Sequence, residues 1–594
     1  FTSAIEINDA ILDIVTTGTN QNVYVINNGT AGLTINNVDY NGTGTFNFNV
    51  RATNTGNLTV TGAITDSAAG TTDVATLNFE TLNGASDIIL QDGATIRSYG
   101  GNITYNTLGQ LGIVRTKTDG GNLNITATEV YDNGNTGPDI ETLGGIVSFN
   151  VSGDVGVSVN GSLEMRDSII DGSVLATNAT WDFRTYASTS YLTLNDIDFN
   201  GGNGFNLSVA ETNGGTLNVT GVIADSNATG DSATISLQTT QAGSDIVMAE
   251  GARIESNGGQ IDYNSADEIG LAQTSSNGGA INLTAGSHIY DNSALGSDLS
   301  SDGGLITINT PGNVGGTSQT TALEIFDSVV DLNISNANQN VYFNVGASNG
   351  YLTLNNIDFN GGNGFTLDVL AQNGSDIIVA GDLYDSNTGT ADSATFNFVT
   401  NSNTSDITVN ANATIQSGAN GSIALNSAND IYLTGLTSGT AGTVVTAAND
   451  IINNGDASID VTSTGTVSLN AGRHMANGDS ISVTANTLNL NLGTGNHNLI
   501  TVGAINLGNI EINGANGAQA SIIGNDDITL SGSITDSSGS DDSIDLTLGT
   551  STPGFLIFPD AGYTVPGTLS FWDGTAGIKD STDERVSITA DNLI

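Results

Sequence analysis

Cysteine is absent from the 594-residue chain, which removes disulfides, thiol nucleophiles and thiolate metal sites together. Positive charge is nearly as scarce. Ten Lys and Arg stand against 61 Asp and Glu, a formal charge of −51, and no Lys or Arg falls between Arg253 and Arg473. Such a chain repels phosphate and anionic headgroups, so neither nucleic acid nor an anionic lipid surface is an expected partner. No run of 18 apolar residues occurs, and membrane insertion is not expected. Proline appears only 5 times, and no long segment shows the 3.6-residue apolar spacing of a helix. Phe1 opens directly in patterned sequence without the basic n-region of a signal peptide.

What is present is repetition. "NNIDFNGGNGF" at 355–365 returns as "NDIDFNGGNGF" at 195–205, as "NNVDYNGTGTF" at 36–46 and, weakened, as "GNIEINGANG" at 508–517. Asp39, Asp198, Asp358 and Glu511 mark one position, so the unit is about 160 residues long. Asp66-Ser67, Asp225-Ser226, Asp385-Ser386 and Asp536-Ser537 keep the same phase, as do Ser86-Asp87-Ile88, Ser244-Asp245-Ile246 and Ser405-Asp406-Ile407. The chain reads as one continuous solenoid over 1–594, with tandem repeats 4–161, 162–321, 322–475 and an incomplete 476–594.

Within a copy, short segments alternate apolar and polar residues, as half-buried strands do. "LTL" (352–354), "IDF" (357–359) and "FTLDV" (365–369) form one such triplet, with a corner at Asn355-Asn356 where the parity shifts. Each triplet occupies the length of one coil of a parallel β-helix. Asn, Asp and Gly between strands tolerate the positive φ of tight corners. The expectation is an all-β, right-handed parallel β-helix with about three strands per coil and about six coils per repeat. At roughly 4.8 Å per coil, that is an elongated rod on the order of 110 Å long.

"GGNLNITA" (120–127), "ISVTANTLNL" (481–490) and "VSITADNLI" (586–594) are phrases of a recognisable style. They resemble bacterial secreted β-helix proteins, the filamentous-haemagglutinin-like exoproteins and autotransporter passengers. The resemblance implies export to the bacterial cell surface or the extracellular space, and an adhesive role.

No catalytic, cofactor-binding or metal-ligating residues emerge. Copies of the acidic position Asp39/Asp198/Asp358/Glu511 lie whole repeats apart, too far for a carboxylate pair, and read as solvated. Asp526-Asp527 and Asp541-Asp542 read as turn acids. His288, His474 and His497 show no ligand spacing. Arg97, Arg115 and Lys117 read as charge compensation. "GGNGFTLDV" (361–369) approaches the calcium nonapeptide, but Thr366 stands where its Asp belongs. Weak, nonspecific Ca²⁺ or Mg²⁺ binding is all that is expected. Tyr40, Phe199 and Phe359 share parity with core residues and read as an internal stack rather than a sugar platform.

The leading functional expectation is an adhesin rod whose partners are cell-surface glycans or proteins. The alternative is a self-assembling fibre, stalk or sheath whose partners are other copies of itself, joined end to end or laterally. A β-helical carbohydrate-active enzyme comes third, and the chain is read as not an enzyme.

Overall fold

The computed structural model describes residues 4–593 apart from 68–73, 135–136, 159–160, 187–189, 200–202, 227–229, 295, 347–349, 362, 387–392, 456–458, 477, 514–517, 537–543, 551–555, 558–562, 574–577 and 580–587. The described residues are strands joined by turns, with one short 3₁₀ turn at Gln319–Thr321 among them. Strands pair in parallel with those one coil before and one coil after, and the fold is an all-β parallel β-helix. Contacts divide the chain into two compact units, Phe1–Gly304 and Leu305–Ile594. The division falls inside the second sequence repeat.

In the first unit two parallel sheets enclose the core. One sheet stacks Thr43–Ala52, Val74–Thr81, Ile103–Thr107, Leu123–Ala127 and Ile146–Val151, with Asn49, Asn78, Thr104, Asn124 and Ser148 in successive register. The other includes Ile11–Thr16 and, stacked on it, Leu33–Tyr40, onto which two short strands, Leu58–Val60 and Ala63–Thr65, both stack. A coil therefore contributes one long strand to one sheet and two short strands, or one bent strand, to the other. The triplets in the sequence have this origin.

One corner is not a corner. Asn355-Asn356 lies inside a single strand, Tyr351–Asp358, where a register shift against Ser328–Ile334 takes up the extra residue. Asp331 of the preceding coil holds this bulge, accepting hydrogen bonds from the Asn355 side chain at 2.9 Å and the Asn356 amide at 3.0 Å. Asp171 does the same for Asn195 and Asp196. A bulge shifts side-chain parity by one, as a corner does, which is why the sequence pattern does not tell them apart.

The larger departure concerns the repeat itself. Leu33–Tyr40 and Leu192–Asp198 are equivalent in sequence yet belong to different sheets. Tyr351–Asp358 and Ile505–Ile512 in the second unit behave identically. One repeat is therefore an odd number of half-coils, roughly six and a half coils rather than six. Within each unit, equivalent positions of successive repeats face opposite ways.

Most inward side chains are apolar and fully covered. Phe149 meets Trp181 of the opposite sheet at 5.7 Å between ring centroids, and Phe79 stacks on Tyr105 at 5.3 Å. Such aromatic pairs add a geometric preference to the large area they remove from water.

The recurring eleven-residue motif is a closed corner. Tyr40 stacks on Phe46 at 4.7 Å, Phe199 on Phe205 at 5.7 Å and Phe359 on Phe365 at 5.2 Å, all buried. Between each pair, Gly44, Gly204 and Gly364 take positive φ of 108°, 82° and 89°. A Cβ at any of them would lie 2.5 Å from the Oδ1 of Asn20, Asn178 or Asn338 in the coil before. Only glycine meets both conditions.

Candidate binding surfaces

The acidic position has a structural task. Asp39 accepts hydrogen bonds from the Ser67 amide at 3.1 Å and hydroxyl at 2.6 Å, and Asp198 repeats both contacts with Ser226 at the same distances. Asp358 accepts from the Ser386 amide at 3.1 Å. The two recurring sequence signatures are thus the two ends of one capping interaction between adjacent coils. Asp87, Asp245 and Asp406 cap the next coil likewise, through the amides of Gln110, Glu268 and Asp430. Asp526 accepts from the Asp527 amide at 2.8 Å, a turn contact; Asp541-Asp542 lies outside the described residues. Thr366 sits in an ordinary strand, in register with Asn340.

Arg97, Lys117, Glu141 and Arg166 stand in one ladder column of the first unit. Arg97 pairs with Asp119 at 2.6 Å; Lys117 pairs with Asp119 at 3.2 Å and with Glu141 at 2.8 Å. Beside this column Arg115, Lys117, Gly137, Pro138 and Glu141 line a groove of about 270 Å³. The groove has a counterpart of about 330 Å³ in the next repeat, lined by Arg253, Gln273, Ser275, Gly296, Ser297 and Ser300. Arg115 corresponds to Gln273, Lys117 to Ser275 and Glu141 to Ser300.

The loop forming one wall of each groove escaped the sequence reading, although its ends recur. Asp132 and Asp139 correspond to Asp291 and Asp298, and to Asn453 and Asp460 in the second unit. Asn133, Asn292 and Asn454 each donate a side-chain hydrogen bond to a carbonyl two coils back: those of Leu90, Met248 and Val409, at 2.7, 2.7 and 2.6 Å. The far end is a buried aspartate each time, Asp139, Asp298 and Asp460. Asp139 accepts from the Glu164 amide at 2.8 Å, and Asp460 from the Ser482 amide at 2.7 Å. Burial, then repulsion from Asp132, with which it shares a side-chain hydrogen bond, holds the Asp139 carboxyl well above the ordinary carboxylate range.

In the second unit Asp376, Asp406, Asp430 and Asp450 form a vertical series, each accepting an amide hydrogen bond from the next coil. Arg473 ends the series with a bidentate pair to Asp450, at 2.7 and 2.5 Å. Burial, followed by the charges of Asp450 and Asp406, raises Asp430. Asp450 is lowered: burial opposes ionisation, but the Arg473 guanidinium and the His474 amide outweigh it. The structure brings His474 and His497 into adjacent coils, and His474 Nδ1 accepts from the Asn496 amide at 2.8 Å. His497 is fully buried with Nε2 3.2 Å from the Gly493 carbonyl oxygen, and burial lowers its pKa to about 4.

The long-strand faces have a different character. Outward from the first repeat stand Asn47, Asn49, Thr76, Asn78, Thr104, Asn106, Asn124, Thr126, Ser148 and Asn150; the charged members are Arg51 and Glu80, which pair with each other at 2.5 Å. The second repeat presents Asn206, Ser208, Thr234, Ser236, Gln238, Asn264, Asn282 and Thr284, with Asp262 as its charge. In the second unit the corresponding strands present Asn397, Asn426, Thr446, Ser468, Asn470, Asn489 and Asn491 among small apolar residues, with Asp368 as the charge. In a chain of −51, each of the first three repeats thus keeps one broad face nearly free of net charge among the described residues. Carboxamides link neighbouring coils across it, Asn47 to Asn22 and Asn78 to Asn49, both at 2.7 Å.

No protein-family model matches the chain, and no curated protein or solved structure does either.

Proposed function

We propose that the protein is a secreted, cell-surface repeat protein that acts as an adhesin, its grooves and polar faces meeting glycans or proteins of another surface. One observation carries this reading. The first two repeats build the same groove on the same pinned loop while exchanging the side chains that line it, Arg115 for Gln273, Lys117 for Ser275 and Glu141 for Ser300. A constant scaffold with a varied lining suits recognition of related but different ligands. The strongly acidic remainder favours solubility outside the cell, and the resemblance to secreted β-helix exoproteins points the same way.

The test is binding of the purified chain to a glycan array and to intact cells, alongside the variant Arg115→Gln/Lys117→Ser/Glu141→Ser. The expected result is saturable binding in which the variant loses the ligands bound through the first groove. Absence of binding to every surface, or binding indifferent to the triple substitution, would overturn the groove as the adhesive element.

A further inference from the structure

We infer that the uncharged long-strand faces are lateral contact surfaces for a second copy of this chain. This inference stands apart from the adhesive reading and rests on three features of the faces.

The first is charge. Two chains of −51 repel each other over most of their surfaces, and at 0.1 M ionic strength that repulsion reaches about 10 Å. The long-strand faces are where two copies can approach with the fewest opposing carboxylates: Glu80, which is paired with Arg51, and Asp262 in the first unit. The second is chemistry. Asn carboxamides donate and accept equally, and Ser and Thr hydroxyls do so too, so the face complements itself. Tyr24 heads the column that runs on through Asn49, Asn78 and Thr104 to Ser148; past it the side chains are short enough for two sheets to close to about 10 Å. The third is spacing. A second copy carries the same rise of about 4.8 Å per coil, so its columns stay in step along the face, as polar ladders do in stacked sheets. Few other partners share that period.

The half-coil offset decides what the contact builds. In the first unit, the face over 43–151 belongs to one sheet and the face over 205–285 to the other. A molecule with matching faces on opposite sides extends its assembly rather than closing it as a dimer. The two faces span five and four coils and bury on the order of 400 Å² per partner, below the size of most stable interfaces. Association is accordingly weak, reversible and concentration-dependent.

Sedimentation velocity of the full chain tests this, over a wide concentration range at low and at 0.5 M NaCl. The native chain is expected to form species beyond dimers, more so at high salt, where the surrounding acids are screened. Asn49→Asp/Asn78→Asp/Thr104→Asp is expected to shift association to higher concentration, and addition of Ser208→Asp/Ser236→Asp/Asn282→Asp to shift it further, leaving the face of the second unit to act alone. A control with three aspartates outside the faces, at Thr59, Ala85 and Gln91, should associate like the native chain, and far-UV circular dichroism reports that each variant keeps its strands. A native chain that stays monomeric at every concentration and salt, or face variants that associate as the control does, would overturn the inference.

Discussion

Two buried ionisable groups give the chain opposite responses to pH. Asp139 is buried and held above its ordinary value of 3.8, so the folded chain binds that proton more tightly than the unfolded one. Its contribution is present at low pH and is lost as the pH rises from about 4 towards the folded value. Asp139→Asn keeps an acceptor for the Glu164 amide. It is expected to flatten this part of the stability curve and to raise stability at pH 8 by on the order of 1–2 kcal/mol, read as a higher urea midpoint. An unchanged curve would contradict the assignment. His497 works the other way: its pKa falls from 6.5 to about 4, so stability is full above 6.5 and is lost as the pH drops through that window. His497→Gln should remove up to roughly 3 kcal/mol of this acid sensitivity, visible as a smaller difference in melting temperature between pH 7 and pH 4.

Corners and their caps are the decisive elements. Gly204 and Gly251 have nearly equal φ, 82° and 83°, but a Cβ at Gly204 meets Asn178 Oδ1 at 2.5 Å while one at Gly251 meets nothing within 4 Å. Gly204→Ala is expected to cost about 2–3 kcal/mol and Gly251→Ala about 1 kcal/mol. Equal losses in denaturant titrations would show that the close approach is unimportant. Phe359→Ala, which empties a stacked corner, should cost about 3–5 kcal/mol. Much of this level is legible in the sequence. Period-2 alternation marks the strands, and the spacing of Tyr40, Phe199 and Phe359 marks the internal stack. The pinned loops are not legible, because 132–139, 291–298 and 453–460 share little beyond their ends, and in so acidic a chain a buried Asp139 reads like any solvated one. The bulge at Asn355-Asn356 is hidden for a related reason: its parity shift is the same as a turn's.

At the scale of the molecule, charge and phase govern behaviour. With most of the −51 on surfaces other than the long-strand faces, the folded state carries strong self-repulsion. Moving from 10 mM to 0.5 M NaCl should therefore raise the melting temperature; a fall would mean that ion pairs such as Arg473–Asp450 outweigh the repulsion. The half-coil offset is invisible to sequence, since residues per repeat do not count crossings between sheets. It is also the central claim, because it sets which way each repeat faces within its unit. The cysteine-free chain allows a direct test by pulsed electron–electron resonance on nitroxides at two pairs of positions in the first unit. Asn78 and Ser236 are equivalent in successive repeats but lie in opposite sheets; Asn78 and Val247 lie in the same sheet. The account predicts a distance of roughly 34 Å for Asn78–Val247, seven coils at about 4.8 Å, and a longer one for Asn78–Ser236, whose labels also sit across the thickness of the core. The reverse order, with Asn78–Ser236 the shorter, would mean that successive repeats face the same way and would contradict the account.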